Sequence, residues 1–260
     1  MAYTFSHPAT ILPLRKYLPF SALIVGSMAP DYLYFIPGIP HSHYGHSTQG
    51  TFTFSLPASL LVLWLFHRVL KKPLMRLLPD SHQQRLVAFQ APFRFGGPRR
   101  FFLLVLTVLL AIETHIWWDA ATHYQGFFPR HFPVLRAAID PGSQFMWCDL
   151  LQSSSSVIGA LALFVAYWHW FRQAPVAAVD PYYRITGTRK TIVLLAMAAI
   201  AVAVAVLVPS PVIRPGVYFA LAGEALDLTR ALLIQAILLA LIWMPRKRVV
   251  PVAESTTAPT

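Results

Sequence analysis

The sequence predicts an all-α fold, a polytopic integral membrane helix bundle of about five transmembrane helices plus a short re-entrant or buried N-terminal helix. Three observations carry that expectation. Of the 260 residues, 56% are hydrophobic and only 12% charged, a balance foreign to soluble domains. Five segments approach the roughly 20 mostly apolar residues that a span needs. Lys and Arg collect in alternate connections, as the positive-inside rule requires. The net charge of +11 therefore reads as topology, and no nucleic-acid partner is expected.

From the N-terminus, residues 1–17 lack the basic start and apolar core of a signal peptide. The stretch 18–38, "LPFSALIVGSMAPDYLYFIPG", is cut by Pro30-Asp31 to an apolar run of about twelve residues, too short to span. The expected spans are 52–70, 101–122, 152–172, 190–209 and 217–244, all within a single helical domain, 1–250. Between the first two, 71–100 reads as a basic interfacial loop, with Ser81 and Gln84 at capping-box spacing for a short helix. The tail 251–260 has no core-forming residues and reads as disordered.

Segments 68–100, 172–190 and the tail after 244 hold most of the Lys and Arg, so they face the cytoplasm. Five spans then place the N-terminus outside, with Arg15 and Lys16 as exceptions; a sixth span would place it inside. Either count puts residues 41–46 and residue 123 at the outer face, so two histidine clusters share a side.

The first cluster is "THIWWDAATH". On a helix, His115, Asp119 and His123 rotate about 40° and rise about 6 Å per step, forming one stripe about 12 Å long. All three cannot grip one ion on a straight helix. The stripe suits a carboxylate shared between two ions, or one ion held by two adjacent members. Ionisable side chains in a span are costly and usually have a partner or a function, and imidazole with carboxylate suits zinc and similar metals. The alternative is a polar helix end, with Trp117 and Trp118 at the interface. The second cluster is His41, His43 and His46, in a Pro/Gly/Ser-rich loop able to bend two histidines onto an ion. Asp31, after a short apolar helix, needs a partner such as a cation, or else caps a helix. His7 precedes a proline suited to a first helical turn. Elsewhere, Asp227 and Arg230 are expected to neutralise each other, while Glu113 points away from the stripe and Glu224 needs a partner. Cys148 excludes an internal disulfide and reads as a packed apolar residue.

"MAYTFSHPATILPL", "LPFSALIVGSMAPDYLYF", "HSHYGHSTQGTFTFSLP" and "THIWWDAATH" together resemble an uncharacterised bacterial membrane-protein family, domain of unknown function 4184 (DUF4184). This implies the bacterial cytoplasmic (inner) membrane as location. The order His, Asp, His cluster, His-x3-Asp-x3-His is also similar, more loosely, to membrane-bound metal-dependent hydrolases and to zinc-dependent phospholipase C. That resemblance implies metal ligation by His7, Asp31, one or two of His41, His43 and His46, and His115, Asp119 and His123, around a shared aspartate. The phospholipase pattern continues with a further His and Glu at helical spacing, and no such pair follows residue 123.

The expected function is therefore a metal-dependent hydrolase with its His/Asp site at the outer face. The cofactor is a divalent metal, zinc or manganese, with Asp31 or Asp119 bridging ions in catalysis. Its natural partners are the bilayer and a lipid or lipid-linked phosphoester. The alternatives are a divalent-metal transporter, with Glu113, Glu224 and Asp227 as a path, and a structural membrane protein.

Overall fold

The structure, a computed structural model, describes residues 3–36, 43–207 and 217–243; the side chains of 43, 217–224 and 226 are outside that description. Among the described residues there is no strand, only an isolated antiparallel bridge between Ala138 and Met146. Six helices organise the chain: α1 Phe20–Met28, α2 Thr48–Leu77, α3 Pro98–Thr122, α4 Trp147–Gln173, α5 Gly187–Leu207 and α6 Val217–Ile242. Four of them, α2 to α5, are long and apolar enough to cross a membrane. The fifth expected segment is α6, with 26 residues.

The surface is inverted relative to a soluble protein. Val157, Ile158, Leu161, Phe164 and Val165 on α4, and Ile192, Leu195, Val202 and Val206 on α5, are exposed, while Ser27, Ser55, Ser59 and Thr107 are buried. Contiguous exposed apolar surface on that scale needs a partner, and for these helices lipid supplies it.

The first span is longer than 52–70. Ser47 caps it, its side chain accepting the Gly50 N–H at 2.9 Å. The helix then runs 30 residues and absorbs Lys71, Lys72 and Arg76, which the sequence placed in a loop. Its two widened π-helical turns, Thr51–Ser55 and Phe66–Leu70, precede Pro57 and Pro73, whose missing N–H groups interrupt the ordinary ladder. Beyond it, the short helix Asp80–Arg85 starts after Pro79 with no side-chain cap, so the Ser81/Gln84 capping box does not form. Pro79 is already at the cap position, which leaves Ser81 inside the first turn. The expected tail 251–260 lies outside the described residues.

With nine residues, α1 is roughly 14 Å long, half the hydrocarbon thickness. It is buried through Ala22, Leu23, Val25, Gly26 and Ser27, as a short N-terminal helix folded into the bundle. A Cβ on Gly26 would lie 2.7 Å from the Val108 carbonyl oxygen and 2.9 Å from Ala111 Cβ. The glycine thus lets α1 lie directly on α3. Ala22, Val25 and Ala29 join Leu63 of α2 and Leu104, Val108 and Ile112 of α3 in the main core. Cys148 is fully buried, as a packed apolar residue should be.

Candidate metal centre

Helix α3 carries His115 and Asp119 one turn apart on its buried face. Three other segments bring partners to that turn: the 3-10 turns Thr4–Ala9, Ala29–Phe35 and His43–His46 deliver His7, Asp31 and His46. The tight turn at Met28–Ala29, ahead of Pro30, ends α1 and points Asp31 back at α3. His46 sits one residue before Ser47, the cap of α2.

Four donor atoms meet there. His46 Nε2 is 3.2 Å from His115 Nε2, 3.0 Å from Asp119 Oδ2 and 3.5 Å from Asp31 Oδ1. His115 Nε2 is 3.3 Å from Asp119 Oδ2 and 3.5 Å from Asp31 Oδ1. Zinc donors at 2.0–2.1 Å and tetrahedral angles lie about 3.4 Å apart, close to these five separations, and all four donor atoms lie within 4.8 Å of one another. Asp31, His46, His115 and Asp119 could hold a metal ion.

The tautomer of His115 tests that fit. Its Nδ1 is 2.7 Å from the Ser27 carbonyl, which can only accept, so Nδ1 carries the proton. A neutral ring then turns the Nε2 lone pair towards two carboxylate oxygens and a second imidazole nitrogen. Lone pairs gathered at that distance need a proton or a cation between them. His46 Nε2–H donating to Asp119 Oδ2 at 3.0 Å, or an imidazolium at His115, would supply a proton. A metal cation would satisfy all four groups together, and the Ser27 contact is the orienting bond that metal-bound histidines ordinarily make.

The two carboxylates differ. Thr4 Oγ1 donates to Asp31 Oδ2 at 2.6 Å, leaving Oδ1 for the cluster. Asp119 instead turns its oxygens to two sets. Oδ2 faces His46 and His115, while Oδ1 is 3.6 Å from His7 Nε2 and 3.4 Å from His123 Nδ1. Neither His7 ring nitrogen, nor Asp119 Oδ1, has a hydrogen-bond partner among the described residues, though all are buried. Buried polar atoms without partners are rare and need an explanation, and an ion is one. Burial lowers the His7 pKa to about 4, and its ring stacks on that of His115 with the centroids 3.7 Å apart. At neutral pH His7 is therefore an uncharged imidazole, the form that ligates.

His123 follows the last turn of α3, and its ring curls back. Its Nδ1–H donates to the Asp119 carbonyl at 3.1 Å, and Gln152 of α4 lies 3.4 Å from its Nε2. So His7, Asp31, His46, His115 and Asp119 converge, with His123 at their edge. His41 lies outside the described residues, as does the side chain of His43. Thr4, Ser27 and Gln152 escaped the sequence reading. Only Thr4 had a local signal, standing three residues before His7, where a 3-10 turn eclipses side chains.

A sequence profile for the family described as Domain of unknown function (DUF4184) matches residues 1–245. The chain belongs to the DUF4184 family. No curated protein and no solved structure matches it. The matched range contains every residue of the cluster, so the centre belongs to the part of the chain that the family shares.

Among the described residues, the other ionisable groups do not extend the centre; the Glu224 side chain lies outside that description. Glu113 is exposed, on the opposite side of α3 from the cluster. Asp227 and Arg230 form the expected ion pair at 2.8 Å. Arg230 also donates to the Tyr34 carbonyl from Nε at 3.1 Å and from Nη2. That contact ties α6 to the turn that carries Asp31.

Proposed function

We propose that this centre makes the protein a membrane-bound metal-dependent hydrolase acting on lipid or lipid-linked phosphoesters. The observation that carries it is the Asp119 carboxylate, with one oxygen in a four-donor set and the other facing His7 and His123. In this reading Asp31, His46, His115 and Asp119 Oδ2 would hold one ion. His7, Asp119 Oδ1 and His123 would hold a second, the His123 ring turning from the Asp119 carbonyl to do so. A four-donor set is closed, as in structural sites, whereas three donors leave a position free for chemistry. In the open set the His123 side chain is 23% exposed, while that of His7 is 1% exposed. Zinc or manganese there supplies Lewis acidity for polarising a phosphoryl oxygen and acidifying water. Asp119 then has the catalytic role of coupling the two sets, and Asp31 that of anchoring the first.

Trp117, Trp118 and Phe127, at the same end of α3 as His123, are exposed. Aromatic residues concentrate at membrane–water interfaces, where a headgroup ester is within reach. In this reading the edge faces outward across the cytoplasmic membrane, which the lysine and arginine distribution supports. Phosphoester turnover tests the proposal. Purified protein loaded with zinc or manganese should hydrolyse bis-p-nitrophenyl phosphate or phosphatidylglycerol in mixed micelles, and Asp119→Asn should not. Stoichiometric metal with no turnover of either would reject catalysis and leave a structural centre.

Orientation has its own check. Tyr44 and Gln125 are exposed near the site, and Ser81 is exposed at the far end of α2. In a Cys148→Ala background, Tyr44→Cys and Gln125→Cys should react with an impermeant thiol reagent in intact cells, while Ser81→Cys should react only after lysis. Reaction of Ser81→Cys in intact cells would invert the topology.

A further inference from the structure

At the far end of α2, roughly 45 Å along the helix from its start beside the metal centre, a second polar site is built entirely from other residues. A cavity of about 660 Å³ lies between the end of α2, the helix Asp80–Arg85 and the start of α5. Arg76, Arg184 and Arg189 line it, together with Asp80 and Gln83.

Its walls are fixed. Gln83 is buried, and the two N–H groups of its amide are shared among the carbonyls of Met75, Arg76 and Leu78 at 3.0, 3.1 and 3.1 Å, closing the C-terminal end of α2. Lys190 of α5 donates to the Leu78 carbonyl at 2.9 Å and to Asp80 Oδ1 at 2.6 Å. The Arg76 guanidinium lies over the rings of Tyr182 and Trp243, at 5.1 and 4.8 Å from their centroids.

The charge is unbalanced. Asp80 is the one carboxylate lining the cavity among the described residues, and Lys190 already pairs with it. None of the three arginines is in an ion pair among the described residues, and Arg76 Nε is buried without a hydrogen-bond partner. Three arginine forks around a cavity with rigid walls match the oxygens of a phosphate group. The cavity sits where α2 ends, α5 begins and α6 ends, with Trp243 and Tyr182 beside it. In a membrane helix bundle that is headgroup level.

We propose that this cavity is a binding site for a phosphate-bearing anion, supplied by the headgroup of an anionic membrane lipid. It is independent of the metal centre and of any hydrolysis there. Native mass spectrometry of the full chain in detergent tests it, by titration with dioleoylphosphatidylglycerol, with dioleoylphosphatidylcholine, and with inorganic phosphate. The phosphatidylglycerol should bind in preference to the phosphatidylcholine. Arg184 and Arg189 are exposed, so Arg184→Gln/Arg189→Gln should fold normally. With roughly fivefold in affinity per basic residue at a membrane surface, the double variant should bind phosphatidylglycerol about 25-fold more weakly. Arg76→Gln should weaken it further. Arginine-dependent binding of inorganic phosphate, with phosphatidylglycerol and phosphatidylcholine bound alike, would keep the anion site but overturn its lipid source. Phosphatidylglycerol binding that ignores both variants, without arginine-dependent binding of phosphate, would overturn the site itself.

Discussion

Asp119→Asn should strip the protein of its metal. The side chain keeps its size and place on α3, but the amide has one oxygen where the carboxylate has two, and no negative charge. In the structure Oδ2 meets His46 and His115 while Oδ1 meets His7 and His123. Whichever way the amide turns, an NH2 group with no lone pair to give faces one of those sets. The loss of affinity should exceed about a hundredfold, the upper end of what is seen when only an outer partner of a ligand is removed. Thr4→Val is the matched comparison. It removes the 2.6 Å hydrogen bond to Asp31 Oδ2 without touching a donor, so it should cost about ten- to a hundredfold. Metal content after dialysis, measured by inductively coupled plasma mass spectrometry, should fall from about two ions towards none in Asp119→Asn, as a shared carboxylate requires. In His115→Ala and in His7→Ala it should fall towards one, each ring serving a single set. If Asp119→Asn retains as much metal as the unmodified protein, the carboxylate is only the polar end of a helix and the centre does not exist.

Much of this arrangement was legible because lipid is a demanding solvent. The helices α2 to α6 announce themselves as apolar runs, and the His115/Asp119 pair stands out since a span has so few polar residues to spend. The N-terminal region was less legible. Arg15 and Lys16 argued for one side of the membrane and the short run before Pro30 for the other, so the side of His7 stayed open. Contact settles it: His7 Nε2 lies 3.6 Å from Asp119 Oδ1, which places both at one end of the bundle. Nor could spacing select His46 from the loop, because a Pro/Gly/Ser-rich chain leaves its geometry to whatever it packs against. Ser27 and Gln152 were invisible for a related reason. Each meets its histidine from a separate helix, 88 and 29 residues away, and nothing local marks a backbone carbonyl or an amide for that duty.

Gly45→Ala should empty the four-donor set without removing any ligand. Gly45 lies against the backbone of Pro30, and a Cβ there would sit 2.3 Å from the Pro30 carbonyl oxygen and 3.3 Å from its Cα. A flexible side chain could swing aside, but this is backbone on both faces, so the two turns have to part. Each turn carries a donor on the very next residue, Asp31 after Pro30 and His46 after Gly45. Separating them therefore opens the 3.5 Å gap between His46 Nε2 and Asp31 Oδ1. Inserting a methyl group into close packing costs about 1–3 kcal/mol. The protein should tolerate that in overall fold, because neither Gly45 nor Pro30 belongs to the main core of α1, α2 and α3. The divalent ion, which needs its donors within a few tenths of an ångström, should not tolerate it. The expected result is unchanged helical content by circular dichroism, with metal content falling from about two ions towards one. Gly142→Ala is the control, since nothing lies within 4 Å of its Cβ position and only the strain of its positive φ is added. Full metal content in Gly45→Ala would mean that the contact between these turns does not position His46, and the four-donor geometry would lose its structural support.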